Sequence, residues 1–149
     1  MTRVVSKKIK VKKALEYLEK NRLMALATSE NNKSWSATVF FAYDNKCNIL
    51  FFSCEDSKHC KQIKKNKNVS LVVNHTWKQK GGGINGLQIV GEASKVSNKD
   101  YSRCYKIYKK RFAWAKDFKS DHKLYIIKLK EIWLIDEKVF GHFHRVRIR

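Results

Sequence analysis

The first periodic stretch lies at residues 11–21, where Val11, Ala14, Leu15 and Leu18 fall at i, i+3, i+4 and i+7. That spacing gathers the apolar side chains on one face and predicts an amphipathic helix. The period then changes. Residues 23–28, 34–43 and 48–53 are short β-rich runs separated by polar segments at 29–33 and 44–47, and they read as consecutive antiparallel strands. A second helix is expected from Ser57, a good N-cap, because Cys60, Ile63 and Lys64 continue with helical spacing as far as Asn66.

A strand at 69–74 is followed by a predicted loop at 75–85, which holds Gly81, Gly82 and Gly83, and by a long strand at 86–96. Ser97-Asn98-Lys99-Asp100 resembles a capping box, opening a helix that carries Tyr101, Cys104, Tyr105 and Tyr108. Leu124, Ile126, Ile127, Leu129, Ile132 and Leu134 mark a last strand at 123–135. The order αβββαββαβ, undivided by repeats or linkers, predicts one mainly β (α+β) domain over 1–149. With about six strands and short helices, a closed or partly closed antiparallel barrel is the economical way to hide the sheet edges.

Composition changes this picture little. With 43% hydrophobic and 12% aromatic residues, the 149-residue chain folds without help from a disulfide or a metal. Its 33 Lys+Arg against 13 Asp+Glu give a formal charge of +20. Such a charge suits a polyanion partner, but it also follows from a lysine- and asparagine-rich composition, so alone it selects no function. No apolar run approaches the roughly 18 residues of a membrane span. The basic N-terminus lacks the apolar stretch and cleavage site of a secretory signal, and a cytoplasmic location is expected. Cys47, Cys54, Cys60 and Cys104 show no CxxC spacing and read as reduced thiols. Cys54, His59 and Cys60 lie close together, but no second half of a zinc site follows, so no metal is expected.

Most signatures of chemistry are missing. The triple glycine has no strand leading into it, no helix after it and no GK[ST] ending, so it is not a phosphate loop. No GxSxG or HExxH is present. The strongest local feature is 52–59, Phe-Ser-Cys-Glu-Asp-Ser-Lys-His, where a strand ends and a helix begins. Backbone N–H groups and the positive end of a helix dipole meet there. Ser53, Ser57, Lys58 and His59 could bind a phosphate; equally, Ser57 serves as an ordinary cap with Lys58 in solvent.

The order of elements decides how these residues are weighed. Asn48-Ile49-Leu50-Phe51-Phe52-Ser53, then Ser57-Lys58-His59, then Asn66-Lys67-Asn68-Val69-Ser70-Leu71 and Leu87-Gln88-Ile89-Val90-Gly91-Glu92-Ala93, resemble the FMN-binding split β-barrels related to pyridoxamine 5'-phosphate oxidase. The likeness runs from about Leu15 to Ile135. It is closest to a small, poorly characterised bacterial branch, through Lys58-His59, the aromatic-rich second strand, Tyr108 to Phe112, and Phe140-Gly141.

The resemblance implies a split antiparallel β-barrel, FMN as cofactor and a homodimer with flavin at its interface. It implies an oxidoreductase acting on an unidentified small molecule. Lys58 and His59 would hold the flavin phosphate, with Ser53 and Ser57 beside them and Phe52 flanking the ribityl chain or ring. Ser36, Ala37, Thr38 and Val39 would run along the isoalloxazine, and Gln88 would reach the ring edge from the second subunit. Two departures stand out. Ser36 and Phe41 occupy positions where the true oxidase carries basic residues, and Gly141-His142-Phe143-His144-Arg145 matches its C-terminal cluster only superficially. Pyridoxamine phosphate oxidation is therefore not expected. The competing readings are a nucleic-acid module using Lys106, Lys109, Lys110 and Arg111 with the basic tail Arg145, Arg147 and Arg149, and a haem-binding barrel using His142 or His144.

Overall fold

Ser6 caps the first helix, α1 (Lys7–Lys20), by accepting a hydrogen bond from Ile9 N, and Ala14, Tyr17 and Leu18 form its buried face. The computed structural model describes residues 6–74, 83–141 and 145–148. Strands β1 (Leu23–Glu30) and β2 (Lys33–Phe40) pair in full register from Leu23 opposite Phe40 to Glu30 opposite Lys33. Only Asn31 and Asn32 remain between them, at φ 50° and 61°. Asparagine tolerates this left-handed backbone, and the resulting turn matches the natural twist of the two strands. The polar segment expected over five residues thus shrinks to two.

The run expected as one strand at 34–43 breaks at Phe41, whose ring is fully buried: its N–H still donates to Arg22 O at 3.0 Å, the last bond to the β1 side, and the next two residues pair with Leu50 and Ile49 instead. The remainder forms the two-residue β3 (Ala42–Tyr43). Next come β4 (Ile49–Cys54), α2 (Lys58–Lys65), β5 (Asn68–Asn74) and β6 (Asn85–Lys95). Then α3 (Asn98–Arg111) is capped by Ser97, a 3-10 turn covers Ala113–Phe118, and β7 (His122–Asp136) is the longest strand. A short α4 (Glu137–Phe140) leads to β8 (Arg145–Arg147). The Arg145 end of the basic tail is therefore sheet, paired with β7 from Trp133 to Ile135. Most of the predicted glycine loop lies outside the described residues.

The sheet order is β2-β1-β5-β6-β7-β4-β3, with every pair antiparallel. β2 comes up beside β4, yet no ladder joins them among the described residues. The barrel is split at that seam; the sequence predicts about six strands, and the structure has six long strands and, in addition, the two short ones β3 and β8. β4 is buried on both faces. Ile49 and Phe51 point into the main core, while Leu50 and Phe52 point outward under α3, onto Cys104, Tyr108 and Phe112. A bulge in β7 opposite Val90/Gly91 bends the sheet. Gly91 permits it, because a Cβ there would sit 2.5 Å from Lys128 O and 2.7 Å from Ile127 Cγ2.

Candidate functional site

The split seam collects most of the residues singled out in the sequence. α2 starts there, and its body is anchored to β1. Thr28 Oγ1 donates to Gln62 Oε1 at 2.6 Å, Asn66 Nδ2 donates to Ser29 Oγ at 3.1 Å, and Lys65 pairs with Glu30 at 2.7 Å. These ties aim the first turn of α2 at the end of β4. Ser57 caps that turn, accepting from Cys60 N at 3.4 Å and donating to Cys54 O at 2.8 Å. The N–H groups of a first helical turn have no partners within the helix, so the opening carries positive potential.

His59 closes the arrangement. Its Nε2 lies 3.0 Å from Ser53 Oγ and 3.3 Å from Ser57 Oγ. The single hydroxyl proton of Ser57 is committed to Cys54 O, so towards His59 this serine can only accept; Ser53 can reverse direction. Burial holds the imidazole below its ordinary pKa, which keeps the ring neutral near pH 7. Lys58 is exposed and stands over the Trp35 ring on β2, Nζ 4.2 Å from the centroid. Trp35 was not singled out from the sequence; its place opposite Lys58 depends on the approach of β2 to α2.

Backbone hydrogen bonding divides the four β2 residues. In a two-residue hairpin the flanking pair, here Glu30 and Lys33, exchanges hydrogen bonds, and the pairing alternates from there. Trp35, Ala37 and Val39 therefore bond to β1, whereas Ser36 and Thr38 turn their backbone groups to the open edge. Of the predicted quartet, Ala37 and Val39 spend their N–H groups inside the sheet.

Two predicted residues stand apart within the protomer. Phe52 faces α3, its ring 5.8 Å from Tyr108 and 5.2 Å from His122, on the opposite side of β4 from Ser53. Gln88 sits on β6 between Val72 and Trp133, half-buried on the outer face of the sheet. The imagined Cys54, His59, Cys60 trio does not gather: His59 turns to the serines, and Cys60 is buried, which pushes its thiol pKa up. Instead, Cys54 meets His122. The basic strip on α3 also loses a member, because Arg111 is turned inward to donate to Leu18 O at 2.8 Å and to Asn21 O. His142 and His144 lie outside the described residues. On the far flank of α2, Lys61, Lys64, Lys67 and Lys95 line a groove of about 620 Å³ floored by Tyr125 and Ala93.

This fold matches known proteins. A family model described as pyridoxamine 5'-phosphate oxidase matches residues 11–136. The chain belongs to the pyridoxamine 5'-phosphate oxidase family. It is also similar to a UPF0306 protein of Campylobacter jejuni, 30% identical over 122 residues that cover 80% of this chain and 83% of the relative. Among solved structures it resembles a heme binding protein from Mycobacterium smegmatis, with TM-score 0.78 and 11% identity over 96% of this chain and 57% of that one. The chain thus spans little more than half the length of that protein. It also resembles a FAD-binding protein from Mesorhizobium loti, with TM-score 0.63 and 17% identity over 80% of this chain and 88% of that one. At these identities the structural likenesses establish the fold. No helix among the described residues is long and apolar enough to cross a membrane.

Proposed function

We propose that the chain binds FMN at the split seam and uses it as a redox cofactor towards a small molecule. The observation that carries this reading is His59 Nε2 held between Ser53 Oγ and Ser57 Oγ at the head of α2. A phosphate there would find imidazole, a hydroxyl, helix N–H groups and, from Lys58, a mobile cation. Ser53 and His59 supply the fixed part of the grip; Ser57 contributes by holding the turn and adds its hydroxyl only by releasing Cys54 O. Ser36 and Thr38 offer backbone groups on the facing edge for a planar ring system. When bound, FMN supplies hydride or single-electron transfer; the protein's part is placement and electrostatics.

A homodimer belongs to this reading. The outer sheet face that bears Gln88 also carries the exposed Val90, and Phe40 and Trp114 form an exposed aromatic patch beside the seam. A second copy would cover such surfaces and bring Gln88 of one protomer towards the flavin of the other. The expected sizing result is a dimer.

Haem is the second reading, favoured by the likeness to the mycobacterial heme binding protein. The absorption spectrum of the purified chain, titrated separately with FMN and with haem, separates the two. Saturable FMN binding that weakens by roughly 10-fold or more in the Lys58→Ala, His59→Ala double variant supports the flavin site. Unchanged FMN titration in that variant overturns the assignment, and an intense Soret band without flavin uptake supports haem.

A further inference from the structure

We propose that Cys54, Asp121 and His122 form a binding site for one zinc-type transition-metal ion, on the opposite side of β4 from the phosphate site. Cys54 and His122 are direct cross-strand partners where β4 leaves the sheet, and Asp121 ends the turn that delivers His122. Cys54 Sγ lies 3.5 Å from His122 Nδ1, Asp121 Oδ1 lies 2.8 Å from the same nitrogen, and the three donor atoms all fall within 4.8 Å of one another. The imidazole is held in place by Phe52 and Phe118, each with its ring centroid 5.2 Å away.

The spacing suits a metal better than a proton relay. Both partners aim at one ring nitrogen, whereas a Cys-His-Asp relay needs the thiol and the carboxylate on different nitrogens. A tetrahedral ion with bonds of about 2.3 Å to sulfur and about 2.0–2.1 Å to nitrogen and oxygen separates its S and N donors by about 3.6 Å and its N and O donors by about 3.4 Å. Sulfur and nitrogen already stand at ligand spacing. The Asp121 oxygen must withdraw by roughly 0.6 Å to reach it, a small rotation for a side chain that is 65% exposed.

The electrostatics also fit. A thiolate and a carboxylate balance the charge of a divalent ion locally; Asp121 is already counted in the +20, so with the thiol proton released the loaded site adds only about one positive charge to the chain. Cys54 is partly buried and Asp121 faces solvent, which gives the ion a way in and leaves a fourth position for water or an exogenous ligand. This inference does not depend on the flavin reading.

Untagged, flavin-free chain kept reduced would be titrated with Co²⁺ and then with Zn²⁺. The expected result is one equivalent of cobalt with a thiolate-to-metal charge-transfer band in the near ultraviolet, discharged by zinc. Cys54→Ser should abolish the band, and Asp121→Asn, a surface change in a turn, should weaken Zn²⁺ binding by at least about tenfold with unchanged circular dichroism. No band in the unsubstituted chain, a band that survives Cys54→Ser, or Zn²⁺ affinity untouched by Asp121→Asn would each overturn the proposal.

Discussion

Lys58 Nζ lies 4.2 Å from the centre of the Trp35 ring, bridging the head of α2 to the open edge of β2 across the seam where the barrel is split. Among the described residues Lys58 forms no ion pair, and it stands beside His59 in the first turn of α2. A cation over an exposed indole contributes about 0.5–1 kcal/mol, little enough that an incoming phosphate can recruit it. Trp35→Ala is expected to change unfolding free energy by no more than about 1 kcal/mol and to weaken FMN binding less than Lys58→Ala does. Chemical denaturation and FMN titration of the two single variants provide the comparison.

His59 gives the site a pH dependence of definite sign. Burial lowers its pKa in the free chain, while a phosphate beside it favours the imidazolium. The complex therefore binds more protons than its separated parts, and FMN affinity should rise as pH falls from 8 towards 6, by up to about tenfold per unit. His59→Gln should retain only the shallower dependence arising from the flavin phosphate itself. Equal pH profiles for the two proteins would remove His59 from the site.

Gly91 is required by packing. An added methyl would meet Lys128 O at 2.5 Å and Ile127 Cγ2 at 2.7 Å, both parts of the neighbouring strand that cannot swing aside. Gly91→Ala is expected to destabilise the chain by about 1–3 kcal/mol, as overpacking of a filled interior usually does. Denaturant unfolding monitored by tryptophan fluorescence measures it.

Arg111 ties α3 to the C-terminal end of α1. Its guanidinium donates to Leu18 O at 2.8 Å and lies 5.1 Å from the centre of the Phe41 ring. Those carbonyls terminate a helix and have no intrahelical partner. Arg111→Met leaves them unpaired and should cost about 1–3 kcal/mol. Lysine at this position should restore part of the loss, because the bonds to Leu18 O, Glu19 O and Asn21 O all leave the single nitrogen Nη2 and an ammonium also carries three donors. Thermal unfolding of the two variants tests both statements.

Local rules made much of this legible in the chain. The Ser57 and Ser97 caps and the alternation in β6 each act over a few residues and appear at nearly the expected bounds, whereas the first helix, expected at 11–21, starts four residues earlier at Lys7 behind the Ser6 cap. The family likeness carried by Phe52-Ser53 and Ser57-Lys58-His59 likewise resides in contiguous runs. The break at Phe41 was not legible, because Phe41 reads as a good strand residue and the chain changes partner there, from β1 to β4, through pairing with Leu50 and Ile49. Nor could sequence periodicity separate the two faces of β4, since both are apolar.

By itself, then, the sequence determined the main helices and long strands, their order, the split-barrel family and the Ser57 cap of the turn after β4, all of which follow from short contiguous runs. Tertiary structure decided which partners those elements meet. Pairing register turned Ala37 and Val39 towards β1 while leaving Ser36 and Thr38 open, set Trp35 beneath Lys58, and placed His122 opposite Cys54 at a separation of 68 residues. The physical reason is that strand register and sheet closure are fixed by burying one shared core, so contacts between distant strand ends are a property of the whole sheet and of no segment within it.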